Sequence, residues 1–275
     1  MNQRAILITG CSSGIGLASA RMMKARGWRV LATARRPEDL AMLERDVGVE
    51  ALHLELSDLN SVAACCDEAL SRTDGRLFAL FNNAAYGQVG AVEDLSPDVL
   101  SRQLITNVVA QHELARRIIP SMRKAGEGRI VQCSSVLGMV VAPYRGAYCA
   151  SKFALEALSD CMRLELEGSG VHVSIIEPGP IRSRFVEHAV ANLKATIDIE
   201  ASPHREKYLA RLAAMETGGN SAFKLEPDAV AVKLVHAVES GRPWRRYYVT
   251  KPTYLAAVMK RFAPPAAIEW IVRQM

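Results

Sequence analysis

A chain of 275 residues, 49% hydrophobic and 23% charged, is long enough for one large globular domain and too short for two comfortable ones. Its 34 basic and 29 acidic residues leave a net charge of +5 spread along the sequence, which excludes a nucleic-acid stripe or a solvating tail before the last stretch. Six cysteines (Cys11, Cys65, Cys66, Cys133, Cys149 and Cys161) show no Cys-x-x-Cys pair and no metal-ligand spacing, so no metal is expected. The first apolar stretch, Ala5 to Thr9, is too short for a signal peptide or membrane span, so a reducing cytoplasm is the expected setting.

Ala5-Ile6-Leu7-Ile8 is a short apolar run of the kind that a strand buried on both faces requires. It ends in Thr9-Gly10-Cys11-Ser12-Ser13-Gly14-Ile15-Gly16, and a helix follows from about Ile15 to Arg26, stopped by Gly27 as a left-handed cap. Glycines in such a turn let backbone amides and the helix N-terminus approach a pyrophosphate, which makes Gly10, Ser12, Ser13, Gly14, Ile15 and Gly16 candidate cofactor contacts. A purely structural turn is the alternative, and the strand and helix on either side favour binding.

The second strand, Arg29 to Thr33, leads into Ala34-Arg35-Arg36-Pro37. An acid at this turn would bind the adenosine ribose of NAD; two arginines there suit a 2′-phosphate instead, so the sequence asks for NADP(H), with Arg35 the stronger candidate and solvated loop charges the alternative. Helices at Pro37 to Arg45 and Leu59 to Arg72 alternate with strands at Ala51 to Leu54 and Leu77 to Phe81. This alternation predicts an α/β fold, a single-domain, doubly wound parallel sheet with helices on both faces and ligands at the carboxyl ends of its strands. Glu55 and Leu56 after the third strand then flank the adenine, and Asn83 and Ala84 after the fourth fix a turn beside the cofactor, or simply form an Asx turn.

Ser96-Pro97 reads as an N-cap and first turn of a long helix to about Arg117, with Asn107 as a polar residue inside an apolar stretch. The strand Arg129 to Cys133 ends in Ser134-Ser135, and a glycine-containing loop brings that strand end alongside the helix of Tyr148 and Lys152. A phenol and an ammonium four residues apart share one helix face, so the lysine charge is expected to lower the tyrosine pKa.

Taken in this order, Thr9-Gly-x-x-x-Gly14-Ile-Gly16, Asn82-Asn83-Ala84, Asn107, Ser135 and Tyr148-x-x-x-Lys152 resemble the short-chain dehydrogenase/reductase superfamily over nearly the whole chain to about residue 185. The stretches Tyr148 to Glu156 and Glu177 to Ile181 are similar to the branch of bacterial NADP-dependent aldehyde reductases and 17β-hydroxysteroid and retinol dehydrogenases. The resemblance implies a Rossmann fold and a catalytic tetrad of Asn107, Ser135, Tyr148 and Lys152, with Tyr148 as general acid, Ser135 on the carbonyl oxygen, Lys152 on the nicotinamide ribose, and Asn107 supporting a water. It also implies cofactor contacts from Pro178, Gly179, Ile181 and Ser183. Ala85 in place of a glycine and Glu55 in place of an aspartate depart from the family pattern.

After a strand from His172 to Ile176, an insertion from Arg184 to about Lys224 has helical patterning at Arg205 to Met215 and apolar Phe185, Val186 and Leu193, as a substrate lid or an ordinary surface helix pair would. Glu226-Pro227-Asp228 opens a helix to about Ser240, and Arg246 to Thr250 reads as a last strand. The apolar and basic tail, Pro252 to Met275, fits docking on the protein itself, a substrate-mouth cover, a homo-oligomer contact or a peripheral membrane helix. The expected activity is an NADPH-dependent carbonyl reductase acting on a small-molecule aldehyde, ketone or alcohol. A steroid or retinoid alcohol dehydrogenase and a non-catalytic NADP-binding redox sensor are the alternatives.

Overall fold

Ile6 and Ile8 turn to one side of their strand and Ala5 and Leu7 to the other, and all four are buried, so this strand is apolar throughout because a helical layer covers each face. The computed structural model of the chain describes residues 3–216 and 223–273. Residues 217–222 of the expected lid and the last two of the tail lie outside the described residues. Strands β1 (Ala5–Ile8), β2 (Arg29–Ala34), β3 (Glu50–His53), β4 (Leu77–Asn82), β5 (Gly128–Cys133), β6 (Val171–Glu177) and β7 (Arg246–Tyr248) form one parallel sheet in the order β3-β2-β1-β4-β5-β6-β7. The order reverses beside β1, with Ile6 level with Val30 on one side and Ala79 on the other. This doubly wound arrangement opens a crevice at the carboxyl ends of β1 and β4.

The helices are α1 (Gly14–Ala25), α2 (Pro37–Met42), α3 (Leu59–Arg72), α4 (Pro97–Leu104), α5 (Ala110–Ala125), α6 (Gly146–Glu165), α7 (Phe185–Thr196), α8 (Arg205–Glu216), α9 (Asp228–Glu239), α10 (Lys251–Phe262) and α11 (Pro265–Arg273). Met23 of α1 and Val230 and Leu234 of α9 pack with Ile6, Phe81 and Val131 on one face. Val62 of α3, Leu114 and Ile118 of α5 and Met162 of α6 pack with Leu7, Leu80 and Ile130 on the other. Losing one such buried leucine would cost about 2–5 kcal/mol.

The expected helix from Ser96 divides into α4, a π-helical turn at Ile105–Val109 and α5, which runs past Arg117 to a left-handed Gly126. Pro120 sits inside α5, where burial of Ile118 and Met122 on either side outweighs its missing N–H. Ser96 caps α4 by accepting the Val99 N–H at 3.3 Å, and Gly27 has φ +83° after α1, both as expected. A π-turn, Leu43–Val47, closes the helix from Pro37, and β7 ends at Tyr248 rather than Thr250. The insertion after β6 folds as α7 and α8 over a separate apolar cluster that includes Val89, Leu193 and Tyr208. Its return is tied down where the Leu225 carbonyl accepts the Arg182 N–H at 2.9 Å.

Candidate active site

A cavity of about 1350 Å³ lies at the carboxyl ends of the strands and runs from Arg35 and Arg36, past the turn after β1, to Ser135, Tyr148 and Lys152. Gly10, Ser12, Ser13, Gly14, Ile15, Glu55, Leu56, Asn83, Ala84, Pro178, Gly179, Ile181 and Ser183 also line it, so nearly all residues singled out from the sequence converge here. Gly16 and Asn107 do not line it, and each acts through a neighbour.

The turn after β1 is shaped by what it excludes. A Cβ on Gly16 would stand 2.1 Å from the Gly10 carbonyl oxygen, and one on Gly10 would stand 2.8 Å from the Ala84 Cβ. Gly10 and Gly14 also have positive φ, +72° and +56°. Ser13 precedes α1 in an extended conformation and its side chain makes no capping hydrogen bond. The first amides of α1 are therefore left for solvent or a ligand beside the cavity, a setting that attracts phosphate. The fit is to a pyrophosphate, by shape and by donors.

At the end of β2 the Thr33 hydroxyl accepts the Gly10 N–H at 3.2 Å and the Thr33 carbonyl accepts the Cys11 N–H at 2.8 Å, fixing the turn against the arginine pair. The two arginines differ. Both arms of the Arg36 guanidinium donate to Asp39, at 2.8 and 3.0 Å, whereas Arg35 is 68% exposed and only 3.8 Å from Glu55. Glu55 itself accepts the Ser57 N–H and hydroxyl at 3.0 and 2.8 Å.

Thr9 rivets β1 to β4, its hydroxyl oxygen accepting the N–H groups of Asn83 and Ala84, each at 2.9 Å. Asn83 returns the contact by donating its amide to the Thr9 carbonyl at 2.9 Å. Asn107 lies in the π-turn and is fully buried; its amide accepts the Tyr86 N–H at 3.1 Å and donates to the Tyr86 carbonyl at 2.9 Å and to the Ser151 hydroxyl at 3.2 Å. Asn107 thus faces inward with Val108 and Ala110 while Ile105 and Val109 are exposed, and the polar side chain pins the segment after β4 to α6. Gln103 and Gln111 do similar work, accepting the Gln88 N–H at 2.7 Å and donating to the Ala84 carbonyl at 2.8 Å. Sequence reading passed over both, although buried glutamines in a helix signal it.

Ser135 follows β5, its hydroxyl accepting the Leu137 N–H at 3.1 Å, and lies beside the Tyr148 phenol on the cavity wall. Burial pushes that phenol well above the usual tyrosine range, and the Ser135 contact works against it. Lys152 lies one turn on, its ammonium donating to the Cys133 carbonyl at 2.8 Å and lying 5.7 Å from the centre of the tyrosine ring. Burial lowers the lysine pKa. The expected lowering of the tyrosine by the lysine is therefore not what dominates here: the ammonium is turned to a carbonyl, and desolvation of the phenol prevails. Such a tyrosine holds its proton through neutral pH, as a proton donor must.

The mouth is apolar on one side. Phe185 of α7 packs edge-on against Tyr148 with ring centres 5.4 Å apart, and Leu255 and Met259 of α10 and Ile268 and Ile271 of α11 close the cavity from above. Arg145, three residues before Tyr148, and Arg211 of α8 also line it; sequence reading missed both, though the helical spacing marks the first.

A family model described as short chain dehydrogenase matches residues 4–194. "Uncharacterized oxidoreductase YbbO" of Escherichia coli (strain K12) is 40% identical over 98% of this chain and 94% of its own. Human 17-beta-hydroxysteroid dehydrogenase type 1 is 30% identical over 98% and 84%. The crystal structure of a short chain dehydrogenase/reductase from Burkholderia phymatum in complex with NAD superposes with a TM-score of 0.79 at 27% identity, covering 94% of this chain and 92% of that one. The motif order, the sheet order and these likenesses agree: the chain belongs to the short chain dehydrogenase family of oxidoreductases.

Proposed function

We propose that the protein is an NADPH-dependent carbonyl reductase acting on aldehydes or lipophilic ketones, with Tyr148 as general acid. The observation that carries this reading is the convergence of Ser135 and Tyr148 on one cavity wall, with the buried Lys152 ammonium one turn behind. A bound nicotinamide dinucleotide supplies the hydride that a carbonyl carbon takes up. Tyr148 gives its phenolic proton to the carbonyl oxygen as charge develops there, while Ser135 donates a hydrogen bond to the same oxygen. Lys152 holds the nicotinamide ribose and Asn107 keeps the wall rigid. The uncapped start of α1, with Gly10, Ser12, Ser13, Gly14 and Ile15, holds the pyrophosphate; Glu55, Leu56, Asn83 and Ala84 border the adenosine half, and Pro178, Gly179, Ile181 and Ser183 the nicotinamide half. Arg35 binds the 2′-phosphate, since its guanidinium is the looser of the pair and no acid stands at the end of β2 to take ribose hydroxyls.

The α7–α8 insertion and the tail helices act as the substrate enclosure, since both contribute to the cavity mouth. Docking on the protein thus accounts for one face of the tail; its other face, with Tyr254, Val258 and Phe262 exposed, is left for a second copy or a membrane surface. No helix among the described residues is long and apolar enough to cross a membrane. Likeness to the human 17-beta-hydroxysteroid dehydrogenase over nearly the whole chain favours oxidation of a steroid alcohol as the second reading. An aldehyde, ketone and steroid panel read by NADPH and NADH absorbance side by side tests both: turnover of aldehydes with NADPH is expected, and no turnover with either dinucleotide would defeat the enzyme reading.

A further inference from the structure

Tyr144 is one of two non-glycine residues in the described structure with a positive φ, +64°, a left-handed conformation that is strained for a tyrosine. The segment is nevertheless fixed. The Tyr144 carbonyl accepts the Gly90 N–H at 3.0 Å, its hydroxyl meets His204 Nδ1 at 3.1 Å, and its ring packs edge-on against Tyr208. The turn sends the Tyr144 ring into the lid cluster and leaves Arg145, the next residue, lining the cavity one helical turn before Tyr148. Arg211 of α8 lines the same part of the cavity and lies over the Tyr144 ring, its guanidinium carbon 4.5 Å from the ring centre.

Two guanidinium groups thus share the substrate half of the cavity, and among the described residues neither has a carboxylate partner. The carboxylates that bond the ring partners of Tyr144 are taken: Glu93 by His204, and Asp94 by Ser202 and Tyr208 at 2.7 Å each. The acids that line the cavity, Asp39 and Glu55, both stand at its far end beside Arg36 and Arg35. Half-buried like charges held together by a strained turn, with no counter-ion, make a place for an anion.

We propose that Arg145 and Arg211 form an anion subsite, so that the preferred carbonyl substrate has an apolar body against Phe185, Leu255 and Met259 and carries a carboxylate or phosphate at its other end. Burial lowers the Arg145 pKa, and the charge of Arg211 adds to that, which an anion between them would reverse. This inference rests on the carbonyl-reductase reading for the reaction, and on the arginine pair alone for the anion.

The test compares 4-formylbenzoate, 4-formylphenyl phosphate and methyl 4-formylbenzoate as substrates with NADPH. At least one charged aldehyde is expected to exceed the neutral ester about tenfold in kcat/KM, the size of one charge-assisted contact, and the better of the two names the anion. In Arg145→Gln and, separately, Arg211→Gln, that ratio is expected to fall toward one. Arg211 is on a lid helix, so its variant stands if the first disturbs α6. Calorimetric titration of benzoate and phenyl phosphate into the dinucleotide-loaded protein reads the subsite without turnover. Anion binding lost in either variant, with no aldehyde reduced, would sink the reductase reading and keep the subsite. Turnover with no preference for charge and no anion binding, or a preference unchanged in both variants, would overturn the subsite.

Discussion

Desolvation of a single phenol sets the protonation state of Tyr148. With its proton held through neutral pH, reduction is expected to be flat there and to fall only on the alkaline side, while alcohol oxidation, which needs the phenolate, rises with pH. Tyr148→Phe is expected to lower turnover by about two to four orders of magnitude with dinucleotide binding retained, measured by fluorescence titration beside steady-state kinetics. At the other end of the cavity, Arg35→Ala is expected to reduce the ratio of NADPH to NADH efficiency by about 10- to 100-fold, the worth of a charge-assisted phosphate contact. Arg36→Ala should reduce it less, because Asp39 already holds that guanidinium. These residues could be read from the sequence because each stands at a strand end or within one helical turn of another. Arg211 could not: it reaches Arg145 only through the fold of α8 over the Tyr144 ring.

At the level of elements, short apolar runs located every strand of the sheet, and the Ser96-Pro97 and Glu226-Pro227-Asp228 signals located the starts of α4 and α9. The π-turn at Ile105–Val109 escaped, since one residue wound into a wider turn leaves the apolar pattern almost intact while it turns Asn107 inward. That helix runs past the expected end at about Arg117 and carries Pro120 inside it, because intrinsic propensity knows nothing of the core that Ile118 and Met122 fill. The lid was visible only as a helical pattern, and its anchor, Tyr208, donates to Asp94 at 2.7 Å and accepts the Ala91 N–H at 2.6 Å. Tyr208→Phe is expected to destabilise the protein by about 1–3 kcal/mol, leaving a buried N–H unpaired, and to raise KM for the carbonyl substrate at saturating dinucleotide. Thermal melting and substrate titration check the two effects, and an unchanged KM would separate this anchor from the substrate.

Across the whole molecule, one buried ionic knot joins β6, β7 and α6. Arg246 donates to Glu156, to Glu177 at 2.6 Å and to Asp160 at 2.7 Å, while one oxygen each of Glu156 and Glu177 has no partner. Burial raises the Glu177 carboxyl to about 8, and the neighbouring Glu156 pushes it the same way. A carboxyl that binds its proton more tightly when folded contributes stability that is full below the ordinary carboxylate range and lost as pH rises through about 8. Melting temperature is therefore expected to fall on the order of 5 °C between pH 6 and pH 9, a change of about 2 kcal/mol, and Glu177→Gln, neutral at every pH, to flatten that slope. A slope identical in the variant would place the pH dependence elsewhere.

The strand order has a further consequence for synthesis. β1 lies in the middle of the finished sheet, yet the chain makes β2 and β3 next, on one side of it, and the other side stays open until Leu77–Asn82 has been made. A nascent chain that stops short of β4 therefore presents an unpaired apolar edge, Ala5–Ile8, to any neighbour on the ribosome. Fragments ending near residue 76 should aggregate, and holding that edge apart until β4 arrives is the service a chaperone would perform for this protein.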